Sequence, residues 1–171
     1  MFIKYNIAFL LLILSLNLMS NISNDPSNWY VVTDQVMGGK SELVAKVNED
    51  NSITLKGDVT TENNGGFVRL ATRPDGLSEN IKGIRFQAKG NNETYDLHVS
   101  LKGIKMPPWS FKSKKFYVSD QWQDFQIEFK DFENYGYSAR RFKPTNFNEV
   151  SFAGYGRDFK VNLELRNIEF Y

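Results

Sequence analysis

Polar and apolar residues alternate with a period of two in five separate stretches of this chain: residues 52–56, 83–88, 95–101, 125–129 and 161–165. Period two places each apolar set on one face of a pleated strand and the polar set on the other. In the last stretch the apolar positions pass from odd to even at Arg166-Asn167 and resume at Ile168 and Phe170. A bulge at that point keeps both sets on the inner face. Beyond the first twenty residues no long window follows the helical period. Turn residues separate the strands instead, at Gly38-Gly39, Asn63-Asn64-Gly65-Gly66, Pro74-Asp75-Gly76, Lys89-Gly90-Asn91-Asn92, Pro107-Pro108 and Asn134-Tyr135-Gly136. About eight to ten short strands punctuated this way predict an all-β fold, an antiparallel β-sandwich or jelly roll. Residues 130–148 lack clean alternation and read as a long crossing connection.

The first twenty residues follow a different rule. One cation, Lys4, precedes an apolar run from Ile7 to Leu16, and small and polar residues follow. This is the order of a secretory signal peptide, with cleavage expected between residues 20 and 23. The apolar run is about half of the ~20 residues a membrane-crossing helix needs. Export to a periplasm or the medium is the expectation, and a retained anchor is the competing reading. No repeat or linker divides residues 21–171, which are expected to form one domain.

Composition removes many chemistries. The chain has 171 residues with 21 Lys and Arg against 20 Asp and Glu. The leader holds the one surplus cation, so the remainder is neutral. Neutrality argues against nucleic acid, whose binding draws most of its affinity from clustered positive charge. With no cysteine there is no disulfide framework and no thiolate chemistry, and the single His98 rules out multi-histidine metal sites. The 14 Phe, 8 Tyr and 3 Trp are far too many for a disordered chain.

Two glycine-rich segments carry the strongest local signal. The first is Trp29-x-x-x-x-Asp34-x-Val36-Met37-Gly38-Gly39-x-Ser41, and the second is Glu62-Asn63-Asn64-Gly65-Gly66-Phe67. Paired glycines allow positive φ and close backbone approach, and Asp34 is placed to accept backbone N–H bonds. Both segments also read as tight turns with no further role. Together they resemble the two signatures of the complex I (NADH:ubiquinone oxidoreductase) intermediate-associated protein 30 family. Residues 83–90, 122–125, 131–132 and 158–163 are similar to its later segments, so the likeness runs from Trp29 to Tyr171. The resemblance implies a galactose-binding-domain-like jelly roll, and a protein that grips respiratory-complex subunits during assembly. The export leader departs from that role, and residues 21–28 are polar where the family has an apolar first strand.

A non-catalytic binding module that grips a protein partner, as the resemblance implies, is the expected function, with an exported carbohydrate-binding module using the outward sheet face as the alternative. Gly154-Tyr155-Gly156 lacks the third glycine of a dinucleotide site, no phosphate loop occurs, and His98 has no nucleophile motif beside it. Carboxylate pairs such as Asp34 and Glu62 are the weak basis for a glycan-acting enzyme. The candidate binding face consists of the outward alternates Arg69, Arg85, Gln87, Asp96 and His98, with Trp109 as a stacking wall. If their strands share a sheet, such planar donors and acceptors suit sugar hydroxyls or a polar protein interface. An ordinary solvated face is the plainer reading. No cofactor is expected; structural calcium would need loop oxygens whose spacing here is not diagnostic. Lys112, Lys114 and Lys115, and Arg140, Arg141 and Lys143, read as solvated strand edges that discourage sheet aggregation. Contact with a membrane is expected only through an uncleaved leader.

Overall fold

A computed structural model of the protein describes residues 26–103, 110–136 and 142–171. The leader, Trp109, Arg140 and Arg141 lie outside the described residues. The strands in chain order are β1 (Tyr30–Thr33), β2 (Glu42–Val47), β3 (Ile53–Val59), β4 (Phe67–Thr72), β5 (Gly83–Gly90) and β6 (Glu93–Leu101). They continue as β7 (Phe111–Val118), β8 (Gln123–Glu128), β9 (Glu133–Tyr135), β10 (Phe147–Tyr155) and β11 (Phe159–Phe170). A six-stranded sheet runs β1-β4-β10-β6-β7-β9, and a five-stranded sheet runs β2-β3-β11-β5-β8. Neighbouring strands pair antiparallel. Because the chain repeatedly crosses from one sheet to the other, the architecture is the expected antiparallel jelly roll.

The inner faces close on each other as alternation requires. Val68 and Leu70 of β4, Leu97 and Val99 of β6, and Phe152 of β10 are buried with Leu163 and Leu165 of β11 and Ile84 and Phe86 of β5. Each such side chain removed from water contributes roughly 1.5–3 kcal/mol. Aromatic rings bridge the two layers. Phe86 stacks on Phe125 at 5.1 Å and meets Phe116 and Phe152 edge-on at 5.2 and 4.9 Å. Tyr95 enters the core hydroxyl-last: it donates to Asn91 at 2.7 Å and accepts from the Asn162 amide at 3.1 Å. The β11 register shifts between Arg166 and Glu169, where Asn167 takes φ 53°. Ile168 and Phe170 are thereby buried like Leu163 and Leu165.

Residues 130–148 are less irregular than their pattern suggests. They hold the three-residue β9, and β10 has already begun at Phe147. A strand of three residues is too short to display alternation, yet Tyr135 pairs with Phe111 and extends the six-stranded sheet. β9 opposes only Phe111, Lys112 and Ser113, so Lys114 and Lys115 stand where β7 has lost its outer neighbour. Charge there protects an open strand edge.

Candidate functional site

The outer face of the six-stranded sheet departs from an ordinary solvated surface. Register aligns Tyr30, Ala71, Ser151, His98, Ser113 and Glu133 across all six strands. The next row holds Val32, Arg69, Ala153, Asp96 and Lys115. Small side chains occupy the middle of the sheet, and Ala71, Ser151 and Ala153 are buried although they point away from the core. Asp96, His98 and Glu149 on the same face are also buried. To one side Asp96, Phe111, Lys115, Glu133, Asn134, Tyr135, Tyr155 and Arg157 line a groove of about 760 Å³.

Aromatic rings form one wall and the layer beneath it. His98 stacks on Phe111 at 4.0 Å between centroids, and Phe111 stacks on Tyr135 at 4.7 Å. Tyr155 stands nearly perpendicular to all three, 5.2–5.5 Å away. Phe111 therefore has both faces covered within the protein. Tyr135, 45% exposed, is the ring of this stack most open to solvent.

The polar groups behind these rings are incompletely matched. His98 Nε2 is buried, has no hydrogen-bond partner, and sits 3.9 Å from Asp96 Oδ1. Burial pushes the His98 imidazole down to about 3, helped by the Arg69 charge, so it is neutral at physiological pH. Burial pushes the Asp96 carboxyl up to about 6 against the opposing charges of Lys115 and Arg157. Burial, followed by a hydrogen bond with Tyr135, raises the Tyr155 phenol. Arg69 donates through Nη1 to Glu149 at 2.9 Å, and Tyr30 donates to the other Glu149 oxygen at 2.7 Å. Arg69 Nε remains buried without a partner. Among the described residues no group of three His, Asp or Glu side chains is arranged to hold a metal ion.

The two glycine-rich segments meet at Asp34, which is fully buried. Its carboxylate accepts the Ser41 amide at 2.9 Å, the Ser41 hydroxyl at 2.5 Å, the Gly66 amide at 2.6 Å and the Phe67 amide at 3.2 Å. Burial acts to raise its pKa, but hydrogen bonds from Ser41, Gly66 and Phe67 outweigh that and hold it below the ordinary carboxylate value. The glycines serve two different needs. Gly66 has φ +123°, whereas a Cβ on Gly39 would lie 2.3 Å from the Asp34 carboxyl carbon. Positive φ is thus not what Gly39 supplies; it makes room for Asp34. Gly65 does the same from the second segment, its Cβ position lying 2.4 Å from Asp34 Oδ2. Asn63 and Asn64 take φ 56° and 59°, conformations asparagine tolerates. Gly38 at φ +90° closes the first turn, and Lys40 pairs with Glu62 across the surface. Trp29 is buried against Phe152. Val36 and Met37, by contrast, are 76% and 57% exposed.

The sequence-derived face divides between the two sheets. Arg69, Asp96 and His98 share the six-stranded sheet with Phe67, whose ring lies 5.1 Å from the Arg69 guanidinium. Arg85 and Gln87 belong to β5 in the other sheet, where they border a separate groove of about 540 Å³. Alternation assigns a face within a strand but carries no information on which sheet the strand joins. Phe111, Tyr135, Tyr155, Glu149 and Arg157 escaped the sequence reading. Tyr135 and Tyr155 each precede a positive-φ glycine, Gly136 and Gly156, and an aromatic beside such a turn was their one local signal.

Two antiparallel sheets with this strand order form a galactose-binding-like jelly roll. The chain belongs to the Complex I intermediate-associated protein 30 (CIA30) family, whose model matches residues 19–155. No curated protein matches it. Among solved structures it is similar to the family 11 carbohydrate-binding module of the cellulosomal cellulase Lic26A-Cel5E of Clostridium thermocellum. That match has a TM-score of 0.67 and 16% identity over 84% of this chain and 86% of the other. A Clostridium thermocellum family 11 module in complex with a β-1,3-1,4-mixed-linked tetrasaccharide gives TM-score 0.62 and 16% identity, covering 84% and 88%. A family 30 carbohydrate-binding module gives 0.58 and 13% identity, covering 83% and 91%. These likenesses establish the shared fold. No helix among the described residues is long and apolar enough to cross a membrane.

Proposed function

We propose that the protein is a non-catalytic glycan-binding module, exported behind its leader, which takes a sugar chain in the groove on the six-stranded sheet. The observation that carries this reading is the groove's chemistry. The rings of Phe111, Tyr135 and Tyr155 alternate there with the carboxylates, amide and cations of Asp96, Glu133, Asn134, Lys115 and Arg157. Sugars present apolar C–H faces that rest on aromatic rings and hydroxyls that both donate and accept, so a ligand site for them needs both kinds of group. The test is titration calorimetry of the mature chain with mixed-linked β-glucan tetrasaccharide, alongside a glycan array. Saturable binding that Tyr155→Ala weakens about tenfold supports the reading, and silence on both overturns it.

A second reading rests on Val36 and Met37. Large apolar side chains that protrude from a rigid, hydrogen-bonded turn serve no folding purpose there, and they suit contact with a protein. Family membership favours such a partner, with respiratory-complex subunits as the family's description suggests. Enrichment of those subunits by the wild-type chain and not by Val36→Ser/Met37→Ser separates this reading from glycan binding.

A further inference from the structure

We infer that the two family-signature segments position the groove's wall, with Asp34 as the positioning residue. The inference rests on the groove being the binding site. The signature segments reach the groove through the turn that joins β10 to β11. Asp34 fixes the amides of Gly66 and Phe67 at 2.6 and 3.2 Å. The Gly66 carbonyl, held in place by that contact, accepts the Gly156 amide at 2.7 Å. Asp158, two residues further along the same turn, accepts both the Thr61 amide at 2.7 Å and the Thr61 hydroxyl at 2.8 Å. Phe67 is also the register partner of Tyr155. The turn is therefore bound on both sides of Arg157, at Gly156 by the second signature segment and at Asp158 by Thr61 just before that segment, and it fixes two groove residues, Tyr155 at its start and Arg157 within it.

From the opposite side, the Arg157 guanidinium pairs with Glu93 at 2.5 Å and lies 4.1 Å from the centre of the Phe159 ring. A three-residue turn held from both flanks has little freedom left to lose when a ligand arrives. Preorganisation of that kind raises affinity without adding a contact to the ligand. It also explains why the signature demands Asp34, two close-packed glycines and Ser41 together. Ser41 turns the carboxylate toward Gly66, and Gly39 and Gly65 leave it the space to reach.

His98 provides the test, because it is the chain's only histidine and its ring protons are unmistakable in a proton NMR spectrum. Those protons sit between the faces and edges of Phe111 and Tyr155, so their ring-current shifts report where Tyr155 stands. Asp34→Asn removes the charge and replaces one of the two accepting oxygens with a donor that faces an N–H or O–H, and Asp158→Ala removes only the exposed link to Thr61. Both variants are to be measured as the mature chain, free and with mixed-linked β-glucan tetrasaccharide. The expected result is a changed His98 shift and about tenfold faster exchange at the Gly156 amide, while amides in the β3–β11 ladder keep their protection. Affinity for the tetrasaccharide should fall about three- to tenfold. If Asp34→Asn does not fold, Asp158→Ala decides. Unchanged His98 shifts and unchanged Gly156 exchange in a folded variant overturn the positioning role, whether or not any glycan binds. Altered shifts with no binding by the wild-type chain leave the wall-positioning geometry standing and remove the glycan reading instead.

Discussion

The outer faces of the two sheets are built from similar residues and organised in opposite ways. On the five-stranded sheet the charged groups pair with one another across strands. Arg85 meets Glu169 at 2.7 Å, Lys89 meets Glu164 at 3.3 Å, and Lys160 meets Asp58 at 2.8 Å. Gln87 donates to Asp124 and accepts from Arg166, and Arg166 in turn covers the Trp122 ring at 4.0 Å. Those pairs lie at the surface, partly in water. The six-stranded face buries Asp96, His98 and Glu149, leaves two nitrogens without partners, and exposes aromatic edges. Unmatched polar groups cost free energy in the folded state, and two of the four buried ones among the described residues, Arg69 Nε and His98 Nε2, lie on this face, the others being Trp29 Nε1 and the Tyr171 hydroxyl.

The largest effect expected from breaking this asymmetry is on the clamp behind the groove. A valine at Gly39 would drive its Cβ into the Asp34 carboxylate, which cannot withdraw without releasing its hydrogen bonds to Ser41 and Gly66. Overpacking and lost buried hydrogen bonds together should destabilise Gly39→Val by about 3 kcal/mol or more in urea unfolding. An unchanged midpoint would show that the segment is looser than its contacts indicate. Gly66→Val should also destabilise, through backbone strain at φ +123°.

Next in size is the removal of the buried charge from the groove. The Asp96 pKa is raised to about 6 in the folded protein, above its unfolded value. Its protonated form is therefore favoured by folding; the associated stability is full below the unfolded pKa and is lost as pH rises through about 6. Asp96→Asn keeps the shape and drops the charge. It should be more stable than wild type by about 2 kcal/mol at pH 7.5, with the advantage vanishing near pH 4. His98 works in the opposite sense. Its lowered pKa gives stability above its unfolded value that is lost as pH falls toward about 3, and this contribution is common to both proteins. A variant less stable than wild type at pH 7.5 would contradict the cost assigned to the buried carboxylate. The same substitution should weaken glycan binding, since a carboxylate accepts hydroxyls more strongly than an amide.

Tyr155 and Trp122 give a smaller and more selective contrast. Both are partly buried aromatics, one on each outer face. Tyr155→Ala should weaken tetrasaccharide binding about tenfold, the loss expected of a single stacking ring, while Trp122→Ala leaves affinity unchanged. Equal losses from both would mean that the ligand does not distinguish the faces.

These contrasts also show what the sequence could convey. Strands 83–90 and 159–170, including the bulge at Asn167, were legible because one side of each faces the core and the other faces water. β10 was opaque for the opposite reason. From Glu149 to Gly154 it is buried on both sides, with Ser151 and Ala153 flooring the outer face, so polarity no longer alternates with exposure. Arg69, Asp96 and His98 were identified because they alternate with core residues on their own strands. Arg85 and Gln87 were grouped with them because strand-to-sheet assignment is a property of long-range pairing. The signature segments announced themselves through glycines and Asp34, but their joint hydrogen-bond centre lies between residues 32 and 33 positions apart. No local pattern contains such a link.

The smallest expected effect is the sharpest control on the comparison. Arg85 and Glu169 form a short pair, but their side chains remain 36% and 24% exposed, and water screens most of the attraction. Hydrogen bonding to Glu169 nevertheless raises the Arg85 pKa, so the guanidinium stays charged throughout the accessible range. Arg85→Ala should then leave Tm within about 2 °C of wild type and tetrasaccharide affinity unchanged. A fall in affinity comparable to that of Tyr155→Ala would place the ligand on the five-stranded sheet. The unmatched groups around His98 would then need another explanation, because the face whose charges pair with one another across strands would be the one that binds.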